Sequence, residues 1–420
     1  MPEVEAPRPR RSSAITLILS ATAFAGVASY FVTWLVPREI GLVGYAAFAV
    51  AWSAVYLVVG ALSGIQQEVT RGTQRVDTNR PAEVSRARNF GAVAAVSVFV
   101  IIVATAPLWA NSVFPTEGWM LVWPLAVGAG SYVMVAVLGG SLYGIGEWMS
   151  LALMISLDAL LRLVVISCVL LFTHNVVVLA WAIVLPFPVA ILALWPYLRR
   201  RIVGHSQFDV GYRALTWNVL RTVIAAASTA TMVSGFPLLL GVTSLGESKS
   251  VVGLFILTIT LTRAPLIVVA MSLQGYLIVV FRDAGPRFWV WFLRLLGLVA
   301  AAGIVLAIAG WLVGPLVFGV LFPASPVPSG LFIGALVLSS ALVGALFISA
   351  TAVLARGEHL FFTAGWVAAV VVTVVSLVLP VDFTARTLTA LIAGPAAGLL
   401  VHGFYLVTSG LRERTPVASA

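Results

Sequence analysis

The sequence predicts an all-α, polytopic membrane protein with about twelve transmembrane helices in two six-helix lobes related by a parallel repeat. Three observations carry that prediction. Of 420 residues, 61% are hydrophobic and 9% charged, with a mean hydropathy of +1.09, whereas about a quarter of an average soluble domain is charged. The arginines gather in alternate links between apolar runs. One basic loop, Arg199 to Arg213, divides the chain into halves with six apolar runs each.

Taken in order, the first span follows Arg8, Arg10 and Arg11 and stays apolar from about Ala14 to Val36. That is longer than the roughly 7–15-residue core of a signal peptide, so it is expected to remain as an anchor. With a window of about 19 residues, further spans fall near residues 42–65, 90–110, 119–142, 149–171, 176–198, 217–240, 251–280, 289–320, 330–353, 360–379 and 388–410. Runs such as Phe90–Ala110 and Leu360–Leu379 are apolar on every side, which excludes alternating barrel strands of about ten residues.

Orientation follows from the arginines, because short cytoplasmic loops retain Lys and Arg. With a cytoplasmic N-terminus, seventeen arginines lie inside, among them Arg71, Arg75, Arg80, Arg86 and Arg88, whereas the outer loops keep Arg38, Lys249 and Arg386. Both termini are therefore expected in the cytoplasm, and the net charge of +9 is topogenic, with no nucleic-acid partner. The preference for Arg over Lys, 23 to one, with abundant Ala, Val and Gly, points to a GC-rich bacterial genome and hence to a bacterial plasma membrane.

The lobes are expected at 1–204 and 205–420. Val43–Ile65, VGYAAFAVAWSAVYLVVGALSGI, aligns without gaps on Val252–Gln274, VGLFILTITLTRAPLIVVAMSLQ. Val43, Gly44, Leu57, Val59, Ala61 and Ser63 are identical to their counterparts. Six spans per half make the repeat parallel, and two such bundles suit a transporter that works by alternating access.

Enzymatic function is not expected. No glycine-rich phosphate loop with its lysine is present, and the first outer loop offers Glu39 as its only acid. Cys168 stands alone in an apolar span, so neither a disulfide nor a thiolate metal site can form. No catalytic residue, metal or cofactor is expected.

Ionisable groups inside spans are the functional candidates, because each costs roughly 2.5–3.5 kcal/mol to insert. Arg221 and Arg294 lie near cytoplasmic ends, where they can snorkel. Arg263 stands twelve residues from Val251, about 18 Å along a helix, beside Pro265, which should bend the helix near the charge. Its guanidinium suits a phosphate, with Gln274 about three turns along the same face. Asp158 and Arg162 are spaced i, i+4, and read either as a structural ion pair or as a proton- or sodium-coupling site. The segment Gln66 to Arg71, QQEVTR, ends the second span with polar groups that could grip a charged headgroup at the cytoplasmic mouth.

The opening, YFVTWLVPREIGLVGYAAFAV from Tyr30 to Val50, resembles polysaccharide flippases of the multidrug/oligosaccharidyl-lipid/polysaccharide exporter (MOP) superfamily. Arg38, Gly41, Gly44 and Tyr45 match the family's pattern, and the eighth span resembles its Arg-x-Pro helix through Arg263, Ala264 and Pro265. The resemblance implies a V-shaped pair of lobes that moves a polyprenyl-diphosphate-linked oligosaccharide to the outer leaflet. It also implies a cationic cavity holding the diphosphate. Arg263 carries that role over, and the substrate-binding candidates are Arg263, Gln274, Gln66, Arg71 and Arg38. The first helix supplies no mid-span arginine, which departs from the family. Membrane lipids are implied partners, as are a polysaccharide polymerase or glycosyltransferases of the same pathway.

Two rivals remain open at this point. One is a proton- or sodium-coupled exporter of small amphiphiles. The other is an integral-membrane glycosyl or acyl transferase with Glu68, Asp209 and Asp283 as its acids.

Overall fold

The structure is a computed structural model that describes residues 11–75, 87–202, 206–208, 211–244 and 246–414. Arg8, Arg10, Arg80, Arg86 and Asp209, named above, lie outside them. The elements run α1 (Arg11–Gly72), β1 (Thr73–Arg75), α2 (Ala87–Val113), α3 (Trp119–Ile145), α4 (Trp148–Leu170), α5 (Val176–Val184), α6 (Pro186–Ile202) and β2 (Ser206–Phe208). They continue with α7 (Tyr212–Val233), α8 (Phe236–Thr243), α9 (Lys249–Asp283), α10 (Phe288–Leu321), α11 (Gly330–Ala355), α12 (His359–Leu377) and α13 (Phe383–Arg414). Local sequence explains several starts: the side chains of Asn175, Ser248 and Ser329 accept backbone N–H groups in the first turns of α5, α9 and α11.

Among the described residues, ten helices are long and apolar enough to cross a bilayer. The pair α7 and α8, bent by 69° at the break between them, adds a broken eleventh span. Helix α1 divides at Gly41, whose backbone (φ 67°, ψ 173°) is non-helical and favours glycine. Each part of α1 has about 30 residues, roughly 45 Å of helix, against a hydrocarbon core of about 30 Å. Counted as two crossings, α1 gives the described residues the length for twelve. Short strands β1 and β2 pair antiparallel, with Gln74 opposite Gln207. This ribbon joins two loops and leaves the fold all-α in character.

Helix α9 keeps Pro265 inside one continuous element. A sharp break not expected from the sequence falls between α7 and α8 at Ser234–Gly235. The local signal is Ser-Gly-Phe-Pro, with Pro237 in the first turn of α8, where its missing N–H costs nothing.

The chain forms two compact units, one of residues 1–35 and 54–227, the other of residues 36–53 and 228–420. In the first, Leu62, Ile65 and Val69 of α1 pack on Val133 and Val137 of α3 and on Leu215 of α7. In the second, Phe347 and Trp366 pack edge to face and share a core with Met232 and Val343. Helices α2 and α10 turn large apolar side chains outward, Leu108 at 84% and Val320 at 71% exposure, as lipid-facing helices do.

Contacts between loops support the twelve-pass count. In the first unit the β-ribbon joins the loop after the second pass to the loop after the sixth, and Arg201 pairs with Glu147 at 3.0 Å. In the second unit Arg386 pairs with Glu247 at 3.3 Å, and Arg38 donates to the Leu321 carbonyl at 3.1 Å. There Arg356 also lies 4.3 Å from the Phe288 ring centroid and donates to Ser409 Oγ. Every one of these contacts joins two loops that a twelve-pass count puts on the same side.

Candidate functional site

Asp158 sits ten residues into α4, about 15 Å from its start and so deep in the membrane. One helical turn later, Arg162 Nη2 donates to Asp158 Oδ1 at 2.9 Å and lies 2.9 Å from Oδ2. The same guanidinium donates through Nε to the Ile183 carbonyl at 3.2 Å. It lies 5.5 Å from the Tyr56 ring centroid and 5.1 Å from that of Phe187, within cation–π reach. Arg162 is thus held by partners on its own pass and on two others, and is 7% exposed.

Beside the pair is a cavity of about 220 Å³, lined by α1, α3, α4 and α6. Asp158, Gln66, Tyr132, Tyr143 and Phe187 line it, with Met154 on the apolar side. Two glycines explain how Gln66 reaches this place. A Cβ added at Gly140 would collide with the Gln66 carbonyl, and one at Gly139 would stand 3.6 Å from Gln66 Nε2. Small residues here let α3 approach α1 closely. Tyr132 and Phe187 meet edge to face at 5.4 Å, which fixes both rings at the cavity wall.

Arg263 has a different environment in the second unit. It is 4% exposed, donates from Nη2 to the Met232 carbonyl at 3.2 Å, and lies 5.4 Å from the Phe236 ring centroid. Both partners flank the α7–α8 break. Its Nε–H has no hydrogen-bond partner among the described residues, and no carboxylate there lies within ion-pair distance. Of the two buried mid-span arginines, Arg162 is neutralised and Arg263 is not.

The remaining candidates are dispersed. Gln274 is half-buried further along α9. Arg71 is exposed and pairs with Glu68 at 2.8 Å, outside the cavity lining. Arg38 closes the C-terminal end of α10 through the Leu321 carbonyl. Of the acids weighed for a transferase, Glu68 is engaged by Arg71 and by Thr222 Oγ at 2.9 Å. Asp283 is exposed beside Arg282. Among the described residues, no three His, Cys, Asp or Glu side chains converge as a metal site would require. The sequence singled out Gln66 apart from the Asp158–Arg162 pair, and the structure brings the three together. It also adds Tyr56 and Tyr132, which sequence reasoning missed. Their signal was position: they stand at mid-span, away from the interfacial belts that usually hold tyrosine.

No protein-family model matches the chain. Uncharacterized protein Rv1510 of Mycobacterium tuberculosis is 30% identical over 408 residues, covering 94% of this chain and 91% of its own. The chain belongs to its family. A further relative, Uncharacterized protein Mb3654 of Mycobacterium bovis, is 29% identical over 394 residues and covers 93% of this chain and 91% of its own.

Solved structures supply the fold of this family. The lipid II flippase MurJ in an inward closed conformation superposes with a TM-score of 0.68 at 12% identity, covering 93% of this chain and 87% of its own. An inward-facing multidrug resistance MATE family transporter of the MOP superfamily gives 0.65 at 16% identity over 97% of this chain and all of its own. A MOP superfamily transporter from Pyrococcus furiosus gives 0.59 at 18% identity, covering 96% of each chain. The chain therefore has the fold of these transporters and is a multi-pass membrane protein.

Proposed function

We propose that the protein is a flippase that moves a polyprenyl-diphosphate-linked oligosaccharide across a bacterial plasma membrane by alternating access, without catalysing a covalent step. The observation that carries the reading is Arg263. A permanent cation buried at mid-span without a carboxylate is costly, and retaining it makes sense where an anion arrives to neutralise it. Its unserved Nε–H adds a donor suited to a phosphate oxygen. The fold shared with a lipid II flippase supports the same reading. Gln274 and Arg71 serve the headgroup path in this proposal, and Arg38 steadies the outer end. The arginine bias supports cytoplasmic termini, and enzymes that build or polymerise the glycan are the expected partners.

The test is mass spectrometry of lipid-linked sugars from the native bacterium, with the gene intact, deleted, or carrying Arg263→Ala. Deletion should accumulate a complete polyprenyl-diphosphate oligosaccharide, and Arg263→Ala should accumulate the same species while inserting normally. A truncated glycan on deletion would instead mark a transferase, and an unchanged profile a small-amphiphile exporter. Full activity of Arg263→Ala would remove this residue from the headgroup site.

A further inference from the structure

We propose that the cavity of the first unit is a monosaccharide subsite, which holds one sugar ring of the glycan through Asp158, Gln66 and Tyr132 with Phe187 as its apolar wall. The proposal rests on the reading of the substrate as a lipid-linked oligosaccharide, and extends it from the anionic headgroup to the neutral glycan.

Size is the first argument. Sites for drug-sized ligands occupy roughly 300–1,000 Å³, and this cavity has about 220 Å³. It admits one ring rather than an extended amphiphile. Chemistry is the second. A pyranose carries a rim of hydroxyls that both donate and accept, around two faces of C–H groups. The cavity offers a carboxylate that accepts, an amide that does both, and a phenol that does both, against the apolar faces of Phe187 and Met154. Arg162 donates to Oδ1 of Asp158 alone, and a carboxylate has about four acceptor sites in all. Acceptor capacity therefore remains for two neighbouring hydroxyls.

Charge decides among occupants. Arg162 cannot lose its proton at physiological pH, so the Asp158–Arg162 pair is already neutral. A bound sodium ion would face the guanidinium without a net negative charge to hold it. A wholly apolar ligand would strip water from the carboxylate and return nothing. A neutral, hydroxyl-rich group satisfies both constraints. The clamp on Arg162 by Ile183, Tyr56 and Phe187 holds the carboxylate in place before the ligand arrives.

The experiment uses the purified full-length protein in detergent micelles and saturation-transfer NMR. The probes are the methyl glycosides of glucose, galactose, mannose, rhamnose and N-acetylglucosamine. At least one should receive saturation, and the signal should persist when choline replaces sodium. Gln66→Leu and Tyr132→Phe leave the ion pair intact, and each should weaken binding about fivefold, the share of one neutral hydrogen bond. No signal from any glycoside, or binding unchanged in both variants, would overturn the subsite. So would saturable sodium-22 binding that Asp158→Asn abolishes. The lipid profile of the deletion strain separates the two readings. If the glycan-lipid accumulates on deletion but no glycoside binds, the subsite falls and the flippase stands. If a glycoside binds with an unchanged lipid profile, the sugar pocket stands and the flippase reading falls.

Discussion

Two guanidiniums buried in one membrane protein, one answered by a carboxylate and one not, should behave in opposite ways when removed. Arg162→Met strands the Asp158 charge, and losing one partner of a buried pair costs about 3–5 kcal/mol. The thermal unfolding midpoint in detergent should fall clearly, and Asp158→Asn combined with Arg162→Met should recover most of the loss because both charges go together. Arg263→Met removes a charge that lacks a counter-ion and breaks one bond to the Met232 carbonyl. Its midpoint should stay near that of the unchanged protein while transport is lost, the trade expected where function keeps a strained group in place. A marked fall for Arg263→Met would mean that this residue serves as a brace for the α7–α8 break. Asp158 and Arg162 were legible in the sequence because an i, i+4 spacing fixes a shared helix face. Tyr56 and Phe187 were not, since periodicity along one helix carries no information about which face of another helix it meets. His402 shows the same limit: it is fully buried, bonded to Ser349 Oγ at 2.9 Å and near the Phe362 carbonyl at 3.3 Å. Both partners are distant in sequence.

Among the elements, the break between α7 and α8 frees backbone groups that hydrocarbon cannot satisfy. Ser53 resolves this from the second pass: its hydroxyl donates to the Ser234 carbonyl and accepts from Leu238 N–H at 3.1 Å. Ser53→Ala should therefore cost about 1–3 kcal/mol, since it leaves a buried donor and acceptor without partners, read as a lower unfolding midpoint. Gly253 meets a related demand. A Cβ there would collide with the Leu42 carbonyl, so Gly253→Ala should lower folded yield more than Gly297→Ala, where a Cβ meets nothing within 4 Å. Equal yields would deny that the backbone approach at Gly253 matters. Helix existence was legible throughout from apolar length alone. The break between α7 and α8 was not foreseen, because Pro265 drew attention while Ser234–Gly235, with Pro237 just beyond, supplied it.

For the whole molecule, topology is the most strongly determined property. The arginine bias and the loop contacts are independent, one a matter of composition and the other of geometry, and both agree with an even number of passes. In a Cys168→Ser background, single cysteines at Ser206 and Asp283 should resist a membrane-impermeant thiol reagent applied to intact cells. Cysteines at Glu117 and Asp382 should react. Labelling of Ser206 or Asp283 from outside would reverse the orientation. Architecture was readable from sequence because the bilayer permits few solutions. The composition of the two units was not, since residues 36–53 pack with residues 228–420, and nothing local in an apolar run announces such a distant preference.

That assignment of residues 36–53 imposes a wait during synthesis. Ser53 finds its acceptor 181 residues later, and Arg38 finds the Leu321 carbonyl 283 residues later. At about 5–20 residues per second, the ribosome needs roughly 10–40 s to reach Ser234 and longer to reach Leu321. The contacts that tie residues 36–53 to residues 228–420 therefore form only after the later half of the chain has been made.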